Sequence, residues 1–245
     1  PDRNNNYDIR LHPQRWKNFK EFTYKQLAEL MTDYGNIDMP SIAKMARAKQ
    51  PGLIMVDRTV HGEYENYQTP EQKVPEKPLD YPWETCMTMG EAWGYVPNDK
   101  YKSVNKLVHL LADVVAKGGN FLLNVGPKPD GTFPDTVVER LAGIGKWMNI
   151  NKEAIYASRP IAPYKQANVC YTTTKEGSVY AIYLLEENVV SPSKINLKGF
   201  PEITKTINLL GVKEKLKWKQ ANGSLTIDLS ASAKKLQHAL VFKIN

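Results

Sequence analysis

The sequence contains little cysteine and no long hydrophobic run, and each absence excludes a class of protein. Cys86 and Cys170 are its two cysteines, too few for a disulfide framework or a cysteine-based metal site. No run of about 18 apolar residues is present, so no transmembrane helix is expected. The four histidines lie far apart in sequence, and their spacing suggests neither a metal nor another cofactor.

The net charge of +7 arises mainly in the C-terminal third of the chain. Residues 160–245 contain 12 Lys, no Arg and 6 Asp plus Glu, a difference of +6. The lysines alternate with other residues, as in the run from Lys213 to Lys219. Alternating lysines favour the exposed face or edge of a sheet over a nucleic-acid patch, so no nucleic-acid partner is predicted.

Up to about residue 158, helical and strand-like segments alternate. Active sites of α/β folds of this kind lie at the carboxyl ends of the strands. Residues 59–80 have several prolines and no sustained period, which predicts a long loop at that edge. The spacing of apolar residues predicts helices over 14–34, 40–49, 101–117 and 134–151, and buried parallel strands over 53–57, 84–89 and 120–126. Asp38 is expected to cap the helix over 40–49.

Beyond residue 158 the pattern changes to short, partly alternating runs with no helix between them. Asn222-Gly223, between two such runs, is a strong signal for a two-residue hairpin turn. These features predict a small antiparallel β-sandwich. We therefore divide the chain into an α/β part over residues 1–158 and a β-sandwich domain over residues 159–245.

The stretch from Tyr81 to Tyr95 combines several Trp and Tyr rings with two carboxylates. Aromatic rings can stack on the apolar face of a sugar, and apolar surroundings raise the pKa of a carboxyl until it can donate a proton near neutral pH. This combination favours a sugar-cleaving site. The alternative interpretation is a core strand that contains a satisfied Glu.

Several segments, in this order, resemble the glycoside hydrolase family 29 α-L-fucosidases. Each motif alone is weak, but together they are specific, and they cover most of residues 14–160. The Thr-Pro-Glu form resembles the subgroup selective for α-1,3/1,4-linked fucose. The segments are His-Gly-Glu-Tyr-Glu-Asn-Tyr-Gln-Thr-Pro-Glu (61–71), Trp-Glu-Thr-Cys-Met-Thr-Met (83–89), Trp-Gly-Tyr (93–95), Gly-Gly-Asn-Phe-Leu-Leu-Asn-Val-Gly-Pro (118–127) and Gly-Lys-Trp-Met (145–148).

The resemblance implies a (β/α)8-like catalytic barrel, incomplete in this chain, followed by a β-sandwich. It also implies retaining hydrolysis of a fucosylated oligosaccharide or glycoconjugate by two carboxyls about 5–5.5 Å apart. No cofactor is implied. Members that digest host or dietary glycans are exported, which implies a periplasmic or secreted protein, while the oligomeric state stays open.

The resemblance assigns two candidates for the general acid/base. Glu71 of Thr-Pro-Glu is the first choice, because a loop can carry an acid to the leaving group. Glu84 of Trp-Glu-Thr-Cys is the second choice, because burial would raise its pKa. A solvated loop carboxylate is the alternative for Glu71, and an ion pair with Arg58 is the alternative for Glu84.

The remaining site residues are also carried over from the family. Arg58 resembles the substrate-contacting Arg, whose five donors suit sugar hydroxyls. Trp93 resembles the aromatic platform under the fucose, with packing at the barrel mouth as its alternative. Trp83 and Tyr67 are weaker candidates for the pocket wall. Polar side chains after the last strand, Asn124 and Asp130, are expected to order the turn that follows.

Two segments of the family pattern are missing from this sequence. The nucleophile normally lies on a strand of the form apolar-Trp-x-Asp-Gly, and its position is therefore unknown here. The upstream Lys-His-His-Asp-Gly strand is also absent. We expect either residues omitted from the chain or a shortened gene product. A non-catalytic sugar-binding remnant and a retaining hydrolase of a related sugar, such as galactose, remain alternatives.

Overall fold

A computed structural model describes residues 38–56, 62–199 and 206–245. The chain divides into two compact units, the first ending at Asn66 and the second comprising Tyr67–Asn245. The predicted helix over residues 14–34 and the predicted substrate contact Arg58 lie outside the described residues.

The described part of the first unit contains one helix, α1 (Met39–Lys49). Asp38 caps this helix as predicted, since its carboxylate accepts a hydrogen bond from the Ser41 amide at 3.2 Å. The predicted strand over residues 53–57 is wrong for residues 53–55, which are irregular. Side chains provide hydrogen-bond partners for the backbone there: the Met55 amide donates to Asn66 Oδ1, and the Leu53 carbonyl accepts from Arg47 Nε.

The second unit begins with a parallel pair of strands, β1 (Glu84–Thr88) and β2 (Asn120–Asn124). Helix α2 (Val104–Ala116) connects them, and α3 (Asp135–Asn151) follows β2. These elements confirm the predicted strand–helix alternation in this region. Ser103 caps α2 by accepting a hydrogen bond from the Lys106 amide at 3.2 Å.

Residues 67–72 run beside β1 as an irregular third strand. Gln68 pairs with Trp83, and Glu71 pairs with Cys86, in both cases in the parallel direction. The prediction of one continuous loop over residues 59–80 is therefore wrong for this part. Proline at position 70 removes an amide donor, so the pairing is interrupted and the strand pattern is hidden in the sequence.

The C-terminal region contains two antiparallel sheets that share one hydrophobic core. As predicted, Asn222 and Gly223 form the turn of a hairpin, and both have positive φ angles, 50° and 68°. The strands are β3 (Arg159–Gln166), β4 (Val169–Thr173), β5 (Val179–Leu184), β6 (Lys194–Lys198), β7 (Ile207–Leu209), β8 (Lys217–Ala221), β9 (Ser224–Asp228) and β10 (Ala239–Ile244). The five-stranded sheet has the order β3-β4-β5-β10-β7, and the three-stranded sheet has the order β6-β9-β8.

Alternating lysines lie on the exposed side of the three-stranded sheet, as the sequence predicts. Lys217 and Lys219 are exposed on the edge strand β8, and Lys194 and Lys198 are exposed on β6. Lysines on an edge strand discourage pairing with a second chain.

Helix α2 also packs on the C-terminal sheet. A second core joins Val108 and Ala112 of α2 to Cys170, Ile182 and Val241 of the five-stranded sheet. The segments before and after the predicted boundary at residue 158 thus contribute to one hydrophobic core. The division into two domains at this residue stays a prediction. None of the helices in the described ranges is long and apolar enough to cross a bilayer.

A pair of histidines lies where α2 meets the C-terminal sheet. From this pair we expect a free energy of unfolding that depends on pH. His109 Nε2 is 2.9 Å from the carbonyl oxygen of His238. Burial lowers the pKa of both side chains from the ordinary value of 6.5, and their mutual repulsion also lowers that of His238. Lys106 and Lys165 add repulsion at His109, whereas Glu187 acts in the opposite direction at His238.

Because folding favours the neutral imidazoles, the unfolded chain binds protons first as the pH falls. The free energy of unfolding should therefore be greatest above pH 6.5 and should decrease below it. Urea unfolding between pH 7.5 and pH 5 measures this loss. The double variant His109→Gln/His238→Asn should show a shallower decrease, and an equally steep decrease would contradict the assignment.

Candidate active site

The carboxyl ends of β1 and β2 lie together at one edge of the parallel pair. The strands end in register at Thr88 and Asn124, and the Met89 amide donates to the Asn124 carbonyl at 2.9 Å. In parallel sheets covered by helices, ligands bind at this edge.

Glu71 lies on the exposed segment that approaches this edge. It pairs with Cys86, the middle residue of β1, and its side chain is exposed. The next residue, Gln72, donates its amide to the Cys86 carbonyl at 2.9 Å. Because the two segments run parallel, the chain after Glu71 advances toward the carboxyl end of β1, where the Gln72 side chain contacts Thr88.

Glu84 lies at the opposite end of β1. It is the first residue of the strand, half-buried, and its amide donates to the Gln68 carbonyl at 2.9 Å. Thr88 lies four positions further along the strand, a distance of about 13 Å. Glu84 lines a cavity of about 1040 Å³ together with Tyr156 and Arg159. Strand direction therefore favours Glu71 over Glu84 as the acid/base.

Trp93 is held over the carboxyl end of β2 by its backbone. The Asn124 side chain donates to the Trp93 carbonyl at 2.7 Å. Gly126 packs so closely that an added Cβ would be 2.4 Å from the backbone of Gly94 and Tyr95. The Trp93 side chain remains 42% exposed, and an exposed ring over the edge can stack on a sugar.

The loop between β1 and α2 is also fixed by Asp99, which the sequence analysis did not identify. Asp99 Oδ1 accepts hydrogen bonds from the Glu91 and Lys100 amides at 3.0 and 2.8 Å. An added Cβ on Gly90 would be 2.0 Å from Asp99 Oδ2. Glycine thus leaves room for the Asp99 carboxylate, whose hydrogen bonds hold the part of the loop that precedes Trp93.

Lys102 fixes the start of the same loop. Its Nζ donates to the carbonyls of Thr88 and Gly90 at 2.6 and 3.2 Å. Burial lowers the pKa of Lys102, and Asp99 partly opposes this change. The sequence contains no motif for Lys102, because its carbonyl partners are brought together by the turn after β1.

Trp83 occupies a core position. It is 2% exposed, and its Nε1 donates to the Lys117 carbonyl at 3.2 Å. Gly119 lies against the ring, since an added Cβ would be 2.4 Å from it. A ring enclosed in this way offers no face to a sugar, so its placement favours a structural role over the predicted pocket wall.

Comparison with known families identifies the chain. A family model described as "Alpha-L-fucosidase" matches residues 2–153, and one described as "Alpha-L-fucosidase C-terminal domain" matches residues 163–245. The chain belongs to the α-L-fucosidase family. Tissue α-L-fucosidase of Mus musculus is 38% identical over 169 residues, which cover 65% of this chain and 36% of that protein. The chain thus spans about a third of the length of the curated relatives that it matches.

Solved structures of α-L-fucosidases have the same fold. Isoenzyme 1 from Paenibacillus thiaminolyticus is 25% identical with a TM-score of 0.74, covering 90% of this chain and 60% of that one. The Thermotoga maritima enzyme in complex with fucose is 29% identical with a TM-score of 0.67, covering 81% and 46%. That enzyme was also solved with a mechanism-based inhibitor. The predicted class, a barrel-like catalytic domain followed by an antiparallel β-domain, is confirmed.

The other predicted residues of this fucosidase-family chain differ in what the structure shows of them. Tyr67 is half-buried at the start of the irregular strand, and its role in the pocket wall stays a prediction. Arg58 lies outside the described ranges. Asp130 orders the turn after β2 as expected, since its Oδ1 accepts from the Thr132 amide and hydroxyl at 2.9 and 2.8 Å. Asn124 instead binds the Trp93 loop. Among the residues with described positions, no cluster of His, Cys, Asp or Glu could hold a metal ion.

Proposed function

We propose that the protein containing this chain is a retaining exo-α-L-fucosidase with Glu71 as its general acid/base. Family membership supports the reaction, and the names of the matched relatives support the substrate. The observation that carries the residue assignment is strand position: Glu71 pairs with the middle of β1 and the next side chain, Gln72, contacts Thr88 at its carboxyl end, whereas Glu84 is the first residue of β1.

The proposed reaction has two steps that use Glu71 in opposite directions. First, the protonated Glu71 carboxyl donates its proton to the glycosidic oxygen while a second carboxylate attacks the anomeric carbon. Then the Glu71 carboxylate takes a proton from water, which displaces the nucleophile and releases fucose. No residue of this chain is assigned as the nucleophile.

Trp93 contributes binding in this proposal. Its exposed ring can cover the apolar face of fucose, including the methyl group, and thereby exclude water from that side. Because Asn124 holds only the backbone carbonyl of Trp93, the ring can adjust to the substrate without loss of the loop position.

The Thr-Pro-Glu sequence that ends in Glu71 supports selectivity for α-1,3/1,4-linked fucose. We expect kcat/KM for a trisaccharide with fucose α-1,3- or α-1,4-linked to N-acetylglucosamine to exceed that for 2′-fucosyllactose at least tenfold, which corresponds to about 1.4 kcal/mol. Chromatographic measurement of released fucose tests this. Equal rates would remove the linkage assignment but not the fucosidase assignment.

The fucosidase assignment itself is tested with aryl glycosides. The intact mass of the purified protein is measured first. The protein should then hydrolyse 4-nitrophenyl α-L-fucoside and leave 4-nitrophenyl β-D-galactoside unchanged. Preference for the galactoside would favour a hydrolase of a related sugar. Fucose binding by calorimetry without turnover of either substrate would favour a sugar-binding remnant.

A further inference from the structure

Gln72, the residue after Glu71, has an unusual backbone conformation. Its φ angle is 55°, a left-handed value that residues other than glycine adopt infrequently. Its amide nevertheless donates to the Cys86 carbonyl at 2.9 Å, so the backbone is held to β1 at this point. A conformation of this kind persists only where surrounding contacts enforce it.

The side chain of Gln72 supplies those contacts. Its Nε2 donates to Thr88 Oγ1 at 3.1 Å, and its Oε1 accepts from the Thr88 amide at 3.4 Å. We call these two hydrogen bonds the Gln72–Thr88 bridge. It spans from the residue beside Glu71 to the last residue of β1.

Thr88 is a rigid partner in this bridge. It is 2% exposed, and its hydroxyl donates to the Gly90 carbonyl at 2.6 Å. Lys102 Nζ donates to both the Thr88 and the Gly90 carbonyls. The bridge therefore connects the segment of Glu71 to the same fixed turn that leads into the Trp93 loop.

We infer that Gln72 is a positioning residue that holds the Glu71 carboxyl in place for proton transfer through the Gln72–Thr88 bridge. This inference rests on the proposed function. Glu71 lies at an isolated bridge to Cys86 in an irregular strand interrupted by proline, so sheet pairing restrains the backbone there without a continuous ladder on both sides. A catalytic acid displaced by about 1 Å can lose about 10²-fold in rate, and the bridge supplies the restraint that the strand lacks.

A purely structural role, in which the bridge only fastens the edge of the sheet, makes a different prediction. Loss of structure would reduce the rate for every substrate to the same extent. Loss of acid positioning would reduce it only where the leaving group needs a proton, because an activated phenolate departs unaided. A pair of fucosides with good and poor leaving groups therefore separates the two roles.

The experiment measures kcat/KM for Gln72→Gly with 2-chloro-4-nitrophenyl α-L-fucoside and with phenyl α-L-fucoside. Glycine adopts a positive φ without strain, so this variant removes the bridge and retains the backbone. We expect a loss of about 10- to 100-fold for the phenyl fucoside and of less than about threefold for the activated one. Equal losses on both substrates would overturn the inference.

A matched control is Asn188→Gly, an exposed loop residue with a φ angle of 62°. It should leave both rates unchanged. The partner of the bridge is tested by Thr88→Val, which removes the hydroxyl, and by Thr88→Ser, which retains it. Thr88→Val should lower kcat/KM selectively for the phenyl fucoside, and its loss should not add to that of Gln72→Gly in the double variant. Thr88→Ser should keep kcat/KM close to that of the unchanged protein. Fully additive losses would contradict a common bridge.

The outcomes also separate this inference from the proposed function. If Glu71→Ala shows the leaving-group selectivity and Gln72→Gly does not, the acid assignment stands and the positioning role is wrong. If the protein releases no fucose, or if Glu71→Ala reduces both rates equally, both the assignment of Glu71 and the inference fail.

Discussion

Replacement of Glu71 by Ala is expected to reduce kcat/KM for phenyl α-L-fucoside by about 10²- to 10⁴-fold, which is the contribution of a positioned general acid. For 2-chloro-4-nitrophenyl α-L-fucoside the loss should be less than about tenfold, because the departing phenolate needs little protonation. Steady-state kinetics with both substrates measure the difference. The direction of the irregular strand beside β1 is the structural reason for this expectation.

Glu84→Ala is the matched control for this variant. Glu84 lies at the amino end of β1, so its replacement should not change the ratio of the two rates, although it can alter the cavity that Glu84 lines. A leaving-group-dependent loss in Glu84→Ala, with none in Glu71→Ala, would transfer the acid/base role to Glu84. It would also show that strand direction is a poor guide in this fold.

The second large effect is on stability. Trp83→Ala is expected to lower the free energy of unfolding by about 3–5 kcal/mol, because it removes a ring that is almost fully enclosed and leaves a cavity beside β1 and α2. The hydrogen bond to the Lys117 carbonyl is lost as well. Urea denaturation measures this change. A loss below about 1 kcal/mol would contradict the core position of Trp83.

Trp93→Ala is the control for the second prediction and should give the opposite pattern. Trp93 is 42% exposed and its loop is held by backbone contacts that Ala retains, so stability should change by less than about 0.5 kcal/mol. KM for the fucoside should increase about tenfold, the equivalent of about 1.4 kcal/mol of binding. Trp93 would lose its proposed role if KM stayed the same.

Local patterns in the sequence predicted the elements whose interactions are local. The cap by Asp38 depends on a neighbour three residues away, and the Asn222-Gly223 turn depends on two residues that tolerate positive φ angles. Strands β1 and β2 were predicted from short runs that contain several apolar residues, although β2 is only partly buried. The irregular strand at residues 67–72 was missed, because its pairing depends on β1 and its proline resembles a loop.

The candidate site was predicted only in part, for a related reason. Resemblance to a family identified Glu71 as the first choice and Glu84 as the second, but their positions along β1 depend on its direction and register, which the sequence does not contain. Both Trp83 and Trp93 were candidates for the pocket, yet Trp83 is enclosed beside Gly119 and Trp93 is exposed. Gln72 has no motif at all, since its proposed role depends on a contact with Thr88, 16 residues later.

The central claim, that Glu71 is the acid/base of a retaining fucosidase, is tested most directly by azide rescue. Azide needs no base and can attack a covalent fucosyl-enzyme from the side on which Glu71 has been removed. Glu71→Ala incubated with 2-chloro-4-nitrophenyl α-L-fucoside and azide should form α-L-fucosyl azide, detected by proton NMR, and Glu84→Ala should not. Formation of the β-azide, or of the α-azide by Glu84→Ala alone, would contradict the account.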